Sequence, residues 1–476
     1  MNAASSRPHS VGPLPYVVAA TFFMEYLDTT VITTALPQMA HSFGANLNAI
    51  SLGMSAYMIA LAIFIPASGW VADRFGSRSV YFAAIVAFTV ASLLCAISQN
   101  VAEFTAARVL QGLGGALMVP VGRLIVVRTT EKGLLMKAIN TITWPAVVAP
   151  LIGPPLGGFI TTYASWRWIF MLNLPVCLAA MAAVLRWVPN LRNAQRRPFD
   201  MVGLVLSGLA LTAIVYGSDI ASQQGTNPFM GLGVVAAGIV VGCIAVCHAR
   251  HQAHPLIDVT TLDIPTFSVT VVTGTLTRIA IGAVPYLLPL MFQVAFGLSA
   301  FNAGLLLIVS AVGNLAMKAF TTPILRRFGF RRVATIGCAV GGVFIVACGL
   351  LTPASPLSWI ALVVFVYGVT RSTQFAMLAM LAYADVPPAR MTAANTVWNS
   401  AYQLSIGLGI AFGALALRAG SALGGGDTAT LQTFTLHDFR FAFLCAGALL
   451  TASIYGYMKL PRDAGASVIG ESAPES

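Results

Sequence analysis

Long apolar stretches, separated by short polar loops, recur along almost the whole chain of 476 residues. A stretch of about 20 apolar residues is long enough to cross ~30 Å of hydrocarbon as an α-helix. On that criterion the pattern predicts about fourteen transmembrane helices. They are predicted near residues 15–36, 49–71, 80–98, 103–127, 138–162, 168–188, 200–219, 229–248, 266–291, 302–324, 333–351, 357–383, 391–418 and 440–459. The predicted fold class is therefore an all-α polytopic membrane protein.

The composition supports this prediction, because 58% of the residues are apolar and only 9% are charged. The net charge of +11 does not indicate nucleic-acid binding, since the basic residues are scattered through short loops rather than gathered on one soluble face. Most of them fall in loops on the side that holds both termini, and basic loops face the cytoplasm. We therefore expect a multi-pass protein of a bacterial-type inner (plasma) membrane, surrounded by lipid, with both termini in the cytoplasm.

A short internal repeat divides the chain. The stretch GWVADRFGSRSV at 69–80 resembles TPILRRFGFRRV at 322–333 when Phe75-Gly76 is laid on Phe328-Gly329. Weak internal symmetry of this kind is typical of transporters built from related halves. The predicted organisation is a six-helix half at 1–190, two inserted helices with their loops at 191–264, a second six-helix half at 265–460 and a cytoplasmic tail at 461–476.

The first predicted span contains two acids, Glu25 and Asp28, with no basic residue nearby. Carboxylates are costly in hydrocarbon, and where they occur they usually mark a substrate or proton pathway. The two acids are three residues apart and share one helix face. A rise of ~1.5 Å per residue places Asp28 at a depth similar to that of Arg108 on the fourth span. Asp28 could therefore take up and release a proton as Arg108 moves, or it could hold a neighbouring helix permanently; Glu25 could serve as a proton site or as a substrate contact.

Five motifs resemble those of one transporter family. GWVADRFGSR at 69–78 resembles the signature between spans two and three of the major facilitator superfamily, and RVLQGLGG at 108–115 resembles its fourth-span pattern. GPPLGG at 153–158 resembles the antiporter motif of span five, while LDTTVITTALP at 27–37 and SWRWIFMLNLP at 165–175 resemble patterns of drug:proton antiporters. The chain is thus similar to the fourteen-span EmrB/QacA-like drug:proton antiporters, and among them to the MdtD-like multidrug transporters.

The resemblance implies a fold of two six-helix halves with two extra central helices, and a role in conformational change for two motifs. In the loop between spans two and three, a charged latch is implied for Gly69, Asp73, Arg74, Gly76 and Arg78; simple anchoring by positive charge is the alternative. In span five, a bend and close helix packing are implied for Gly153, Pro154, Gly157 and Gly158; a packing kink without a mechanistic role is the alternative.

The resemblance also implies that spans one, four, nine and twelve line a central cavity. Glu25, Asp28 and Arg108 would then lie on one side of that cavity, and Arg278 and Arg371 on the other. Two arginines facing one chamber can hold carboxylates bidentately, which suggests an organic anion or an anionic metal chelate. Alternatively, these arginines pair with backbone carbonyls or with the acids of span one.

Other side chains carry weaker expectations. Lys318 and Arg123 are expected to extend towards the inner membrane surface. Trp144, Tyr286 and Trp398 could form an apolar drug pocket, or could only pack against other helices. HARHQAH at 248–254 is not expected to bind metal, because it lacks an acidic or thiolate companion.

The predicted function is proton-coupled export of small amphipathic molecules by alternating access, with the export of an organic anion such as a carboxylate metabolite as the alternative. The partners are then a small-molecule substrate and protons, with no nucleic acid, and we expect a monomer. We expect no enzymatic activity, no metal and no cofactor. ATP is not expected to drive transport, because no P-loop or dinucleotide fingerprint is present. The proton gradient would supply the energy instead. A channel, or an intramembrane hydrolase acting through Ser299 in GLSA at 297–300, would be a function of a different class.

Overall fold

All the regular secondary structure is helical in the computed structural model of the chain, and no β-strand occurs among the residues that it describes. These residues are 12–45, 47–192, 198–222, 228–298, 300–423, 434–461 and 464–465. The all-α prediction is therefore confirmed. Ser299 and residues 424–433, which belong to the loop predicted between the last two spans, lie outside the described residues.

The helices follow the apolar stretches of the sequence. The first half contains α1 Leu14–Phe43, α2 Leu47–Phe64, α3 Ser68–Phe75, α4 Ser77–Ile97, α5 Val101–Thr129, α6 Lys132–Thr143, α7 Pro145–Tyr163, α8 Arg167–Met171 and α9 Asn173–Trp187. The inserted segment contains α10 Met201–Ser222 and α11 Pro228–His251. The second half contains α12 Pro265–Leu290, α13 Ala300–Gly349, α14 Leu357–Ala384, α15 Met391–Leu423 and α16 Leu436–Met458.

Eleven helical segments of the described chain are long and apolar enough to cross a membrane. One of them, Asn302–Gly349, consists of two helices that meet at Gly329, where φ is 74° and ψ is 161°. The 30-residue helix α1 and the consecutive helices α6 and α7 also have the length to cross. With Asn302–Gly349 counted as two, the described helices provide fourteen segments long enough to cross a membrane, which is the number that the sequence predicts.

Four glycines with positive φ support the internal repeat. Gly76 (φ 94°) and Gly329 (φ 74°), which the repeat aligns, break the helix at equivalent loops. Gly44 (φ 61°) follows the first span of one half and Gly297 (φ 67°) follows the first span of the other. Both pairs have the same separation in sequence. Glycine adopts this backbone conformation without the steric cost that other residues incur, so the turns of the two halves match in register.

With fourteen crossings, the start of α1 and the end of α16 lie at one end of the bundle, together with the loops at Gly76 and Gly329. We call this the inner end, because its loops carry the excess of basic residues that predicts a cytoplasmic location. The opposite end is the outer end. Helix α10 packs between α2 of the first half and α15 of the second, whereas α11 is mostly exposed on the outside of the bundle.

Asp200 fixes the inserted pair of helices at the inner end. Its side chain accepts hydrogen bonds from the backbone N–H groups of Gly203 (2.8 Å) and Leu256 (3.1 Å) and contacts His248 Nε2 at 3.0 Å. Burial alone would raise the pKa of the Asp200 carboxyl, but the hydrogen bonds from Gly203, His248 and Leu256 outweigh it and lower this pKa.

The two halves are joined by hydrogen bonds in the inner part of the bundle. Asn395 Nδ2 on α15 donates to the carbonyl of Pro120 on α5 (3.0 Å), and Arg123 Nη1 on α5 donates to Asn399 Oδ1 (3.1 Å). This contact between halves separates the inner surface from the space that lies deeper between α1, α5, α12 and α14.

Candidate functional site

A buried ion pair joins α1 to α5. Arg108 Nη1 donates to Asp28 Oδ2 at 2.7 Å, and both residues are 1% exposed. Asp28 Oδ1 accepts two further hydrogen bonds, from Gln111 Nε2 (3.1 Å) and from Asn173 Nδ2 (2.8 Å), and Gln111 Nε2 also reaches Ser92 Oγ at 3.0 Å. Both oxygens of this buried carboxylate therefore accept hydrogen bonds, one of them from a charged partner. The similar depth predicted for Asp28 and Arg108 is therefore matched by direct contact.

Glu25 is buried beside this ion pair but has much weaker partners. Its Oε1 accepts one long hydrogen bond from the Tyr57 hydroxyl (3.4 Å), and its Oε2 has no partner among the described residues. The Tyr57 ring also lies under the Arg108 guanidinium, at 4.3 Å from the ring centroid. Tyr57 therefore connects Glu25 to Arg108. The buried Glu25 oxygen without a hydrogen-bond partner is energetically unfavourable.

A separate cavity of about 240 Å³ lies between the two halves. Its lining includes four basic side chains and no acidic one: Arg123, Arg278, Lys318 and Arg371. Aromatic residues complete much of the wall: Phe22, Tyr26, Phe375, Trp398 and Tyr402. We call this space the central cavity. Its wall combines positive charge with aromatic surface, which suits a small molecule that carries both an anionic group and an apolar part.

Arg278 is held in place but keeps one free donor. Its Nε donates to Ser405 Oγ (3.1 Å), its Nη2 donates to Thr275 Oγ1 (3.2 Å), and its guanidinium lies over the Trp398 ring at 4.6 Å. Arg278 Nη1 and Trp398 Nε1 are buried without a partner among the described residues. Arg278 and Trp398 both line the central cavity, so an acceptor that reached these two donors, such as a carboxylate, would satisfy them.

The structure corrects the predicted sides of the cavity. Glu25, Asp28 and Arg108 are absent from its lining. Inside the first half, Glu25 contacts Tyr57 on α2, and Asp28 contacts Arg108 on α5. The reason is the rotation of α1, which turns Phe22 and Tyr26, one helical turn apart, towards the central cavity. The acids therefore lie next to the cavity wall and not opposite the arginines.

The structure also places the other candidate residues of the cavity. Trp144 is 38% exposed and stacks on Phe23, and Tyr286 packs near Gly413, so neither lines the central cavity. Conversely, Arg123 and Lys318 line the cavity instead of extending to the membrane surface. Each is drawn inwards by a hydroxyl or amide of the opposite half: Arg123 by Asn399 and Lys318 by Thr143 Oγ1 (3.2 Å). Arg278, Arg371 and Trp398 line the central cavity.

Comparison with known proteins decides the family. The sequence profile of the Major Facilitator Superfamily matches residues 18–410 and, in a second overlapping match, 270–468. The chain belongs to the major facilitator superfamily. It is 33% identical over 454 residues, 94% of each chain, to "Putative multidrug resistance protein MdtD" of Salmonella heidelberg strain SL476, and equally similar to the protein of that name from Salmonella typhimurium.

Solved structures of this superfamily show the same fold. The proton:xylose symporter XylE matches with a TM-score of 0.65 and 15% identity, over 96% of this chain and 98% of XylE. The human organic anion transporter MFSD10 (TETRAN) matches with a TM-score of 0.63 and 14% identity, over 94% of this chain and 100% of MFSD10. Together these matches confirm the predicted family and fold. This major facilitator protein is a multi-pass membrane transporter and not an enzyme.

The superfamily loop motif lies at the contact between halves. Asp73 Oδ1 accepts hydrogen bonds from Arg128 Nη1 (3.0 Å) and from Thr392 Oγ1 on α15 (3.2 Å), and Arg128 also donates to Thr392. Gly69 permits this approach, because a Cβ there would lie 3.0 Å from the Thr392 methyl carbon. Arg74 is exposed at the inner surface and Arg78 is half-buried in the first turn of α4. Asp73 therefore holds α5 and α15 together, as a latch between the halves would.

Asp73→Asn is expected to loosen this contact and to increase the population of states open at the inner end, because the ion pair with Arg128 is lost. A cysteine introduced at the buried position Thr396, in a background without the exposed Cys243 and Cys247, should then react several-fold faster with a maleimide, on the order of a 1 kcal/mol shift. Glu131→Gln removes a negative charge from the same end and should leave the rate unchanged. Equal rates in the Asp73 variant and the unaltered protein would exclude the latch.

The span-five motif packs against α1. Gly153 is buried on Thr30, where a Cβ would come within 2.8 Å of the Thr30 Cβ, whereas a Cβ at Gly158 would meet nothing within 4 Å. The close approach expected of the motif is therefore present at Gly153 and absent at Gly158. The interruption of this span lies at Trp144, before Pro145, and α7 continues as a helix through the motif. Gly157 is buried, and the Pro154 side chain lies outside the described part of the structure.

The histidines of residues 248–254 do not converge. His248 contacts Asp200, and His251 Nδ1 lies 2.8 Å from the carbonyl of Cys247. Within the described chain, no group of three or more His, Cys, Asp or Glu side chains is arranged to hold a metal ion.

Proposed function

We propose that this transporter is a proton-coupled exporter that moves small amphipathic molecules out of the cytoplasm by alternating access. It would lie in a bacterial-type inner membrane with both termini in the cytoplasm. The observation that carries the proposal is the buried Asp28–Arg108 ion pair with Glu25 beside it, on a helix that also forms part of the cavity wall. Ionisable groups at such depth are retained for function, since they are expensive to bury.

The two acids are proposed to have different tasks. Asp28 accepts hydrogen bonds from three donors, one of them Arg108, and is proposed to exchange a proton when α1 and α5 move relative to each other. Glu25 has one long hydrogen bond and an unpaired oxygen, so a proton on this side chain would remove the cost of an unpaired buried charge. Glu25 is therefore proposed to take the proton first and Asp28 to link proton uptake to movement of Arg108.

The central cavity favours an organic anion as the exported molecule. Four basic side chains line it, and no acid among its lining residues compensates them. Several buried positive charges without counter-charge are unfavourable, and a carboxylate or sulfonate would supply the missing charge and accept from Arg278 Nη1. The aromatic wall suits an apolar part on the same molecule. An anionic metal chelate would also supply the missing negative charge.

Reconstitution into liposomes tests this proposal. With an acidic lumen, proton efflux should drive uptake of labelled phthalate or citrate, and a protonophore should abolish it. Tetraphenylphosphonium, a lipophilic cation, should not accumulate. Accumulation of the cation instead of the carboxylates would reject the anion class while keeping proton coupling. Flux of every probe that ignores the pH gradient would reject the coupling and favour a channel or uniporter.

A further inference from the structure

A second cavity opens at the inner end, next to the central cavity. It measures about 500 Å³ and lies between α6 of the first half and α13 of the second. Its lining residues are Lys137, Asn140, Thr141, Lys318, Ala319, Thr322 and Arg326. We call it the inner cleft. Lys318 lines both the inner cleft and the central cavity, so the two spaces meet at this side chain.

The charge along these two spaces has one sign. Lys137 and Arg326 are exposed at the mouth of the inner cleft, Lys318 lies at the junction, and Arg371 and Arg278 lie in the central cavity. Among the described residues, no acidic side chain lines either space. A cleft lined by one sign of charge concentrates ions of the opposite sign and raises their association rate. This arrangement would attract anions from the inner surface and exclude cations.

Among the described residues, the junction between the two spaces is closed by hydrogen bonds that include no ion pair. Asn140 Nδ2 on α6 donates to Thr322 Oγ1 on α13 at 2.9 Å. Lys318 Nζ donates to Thr143 Oγ1 at 3.2 Å. A bond between Lys318 and an anion would be stronger, because both of its groups carry a full charge, so these hydrogen bonds can be exchanged for it. The contact at Asp73 and Arg128, by contrast, includes an ion pair.

We propose that the inner cleft is the route by which an anionic substrate reaches the central cavity from the cytoplasm, and that Lys318 is its gate. In this route, which rests on the proposed export of an anion, Lys137 and Arg326 attract the substrate. Lys318 then leaves Thr143, binds the anion and passes it to Arg371 and Arg278. A lysine suits this task because its ammonium group is a mobile point charge on a flexible stem, whereas the arginine fork is better suited to fixed, bidentate binding.

Inverted membrane vesicles, whose inner face points outwards, test the route with radiolabelled citrate and phthalate as probes. The double variant Lys137→Gln/Arg326→Gln should lower kcat/KM about tenfold with kcat nearly unchanged, and should flatten the dependence of kcat/KM on salt, because only attraction is lost. Lys318→Gln should lower both parameters, and Lys318→Arg should restore part of kcat/KM. Arg332→Gln, an exposed charge at the same end outside both spaces, should behave as the unaltered protein.

The outcomes separate the route from the proposed function. If the unaltered protein takes up neither carboxylate, the proposal of an anionic substrate is rejected, and the proposed route is rejected with it. If the carboxylates are taken up but the double variant matches Arg332→Gln in kcat/KM and salt dependence, the route is wrong while the substrate class stands. Uptake from the outer face, measured in right-side-out vesicles, should be indifferent to the double variant; an equal loss on both faces would indicate a general effect on the fold and overturn the route.

Discussion

Replacing Asp28 with asparagine is expected to abolish accumulation driven by a pH gradient, while the dissociation constant of the central cavity stays within about twofold. Asparagine preserves the shape of the side chain but cannot exchange a proton. Binding should survive because Asp28 contacts Arg108, Gln111 and Asn173 within the first half and does not line the cavity. The measurement pairs liposome uptake under an imposed gradient with equilibrium binding of a carboxylate to the purified protein.

Glu25→Gln is the companion variant, because Asp28→Asn leaves Arg108 buried without its counter-charge and such a change can cost about 3–5 kcal/mol of stability. Glu25→Gln keeps the Asp28–Arg108 pair and should still lower gradient-driven accumulation about tenfold. Asp28→Glu keeps an ionisable group and should retain partial coupling. If Asp28→Asn and Glu25→Gln both fold and still concentrate substrate against its gradient, protons are carried elsewhere.

Arg278→Ala is expected to weaken the binding of citrate or phthalate by about 10- to 100-fold, because a hydrogen bond to a charged group contributes roughly 1.5–3 kcal/mol. The guanidinium is held by Ser405 and Thr275 and lies on Trp398, so it is already oriented before a ligand arrives. Calorimetric titration, or the ligand-induced rise in melting temperature of the purified protein, gives the loss directly.

Two controls define the Arg278 result. Arg278→Lys keeps the charge but cannot keep both hydrogen bonds of the fork, and should recover part of the affinity. Arg332→Ala removes a similar charge at the inner end outside the cavity and should leave binding unchanged. Unchanged affinity in Arg278→Ala, with binding to the unaltered protein established, would place the anion outside the central cavity.

Helix α1 gives a physical connection between the proton cluster and the cavity. Phe22 and Tyr26 lie in the cavity wall, and Glu25 and Asp28 contact α2 and α5 from the adjoining face of the same helix. A movement of α1 that breaks the Asp28–Arg108 contact would therefore also move Phe22 and Tyr26 in the cavity wall. Coupling through a shared helix does not require the substrate to touch the carboxylates, which explains why the binding and coupling variants above are expected to separate.

The sequence by itself determined the number of crossings, the repeat and the depth of its charges. Long apolar stretches predict spans because only ~20 such residues can cross the hydrocarbon, and the aligned glycines Gly76 and Gly329 break the helices where the repeat places them. Counting residues from the span ends put Asp28 and Arg108 at the same level, and they form an ion pair at 2.7 Å.

Only the tertiary structure decided which way each helix faces. In a membrane protein both the lipid-facing and the protein-facing sides of a helix are apolar, so hydrophobic periodicity does not fix the rotation of a helix about its axis. The family resemblance placed the acids at the cavity, Arg123 and Lys318 were expected at the inner surface, and Trp144 and Tyr286 were expected either in the pocket or in helix packing. Packing of α1 against α2 and α5, and the hydroxyl and amide partners offered by the opposite half, set those orientations instead.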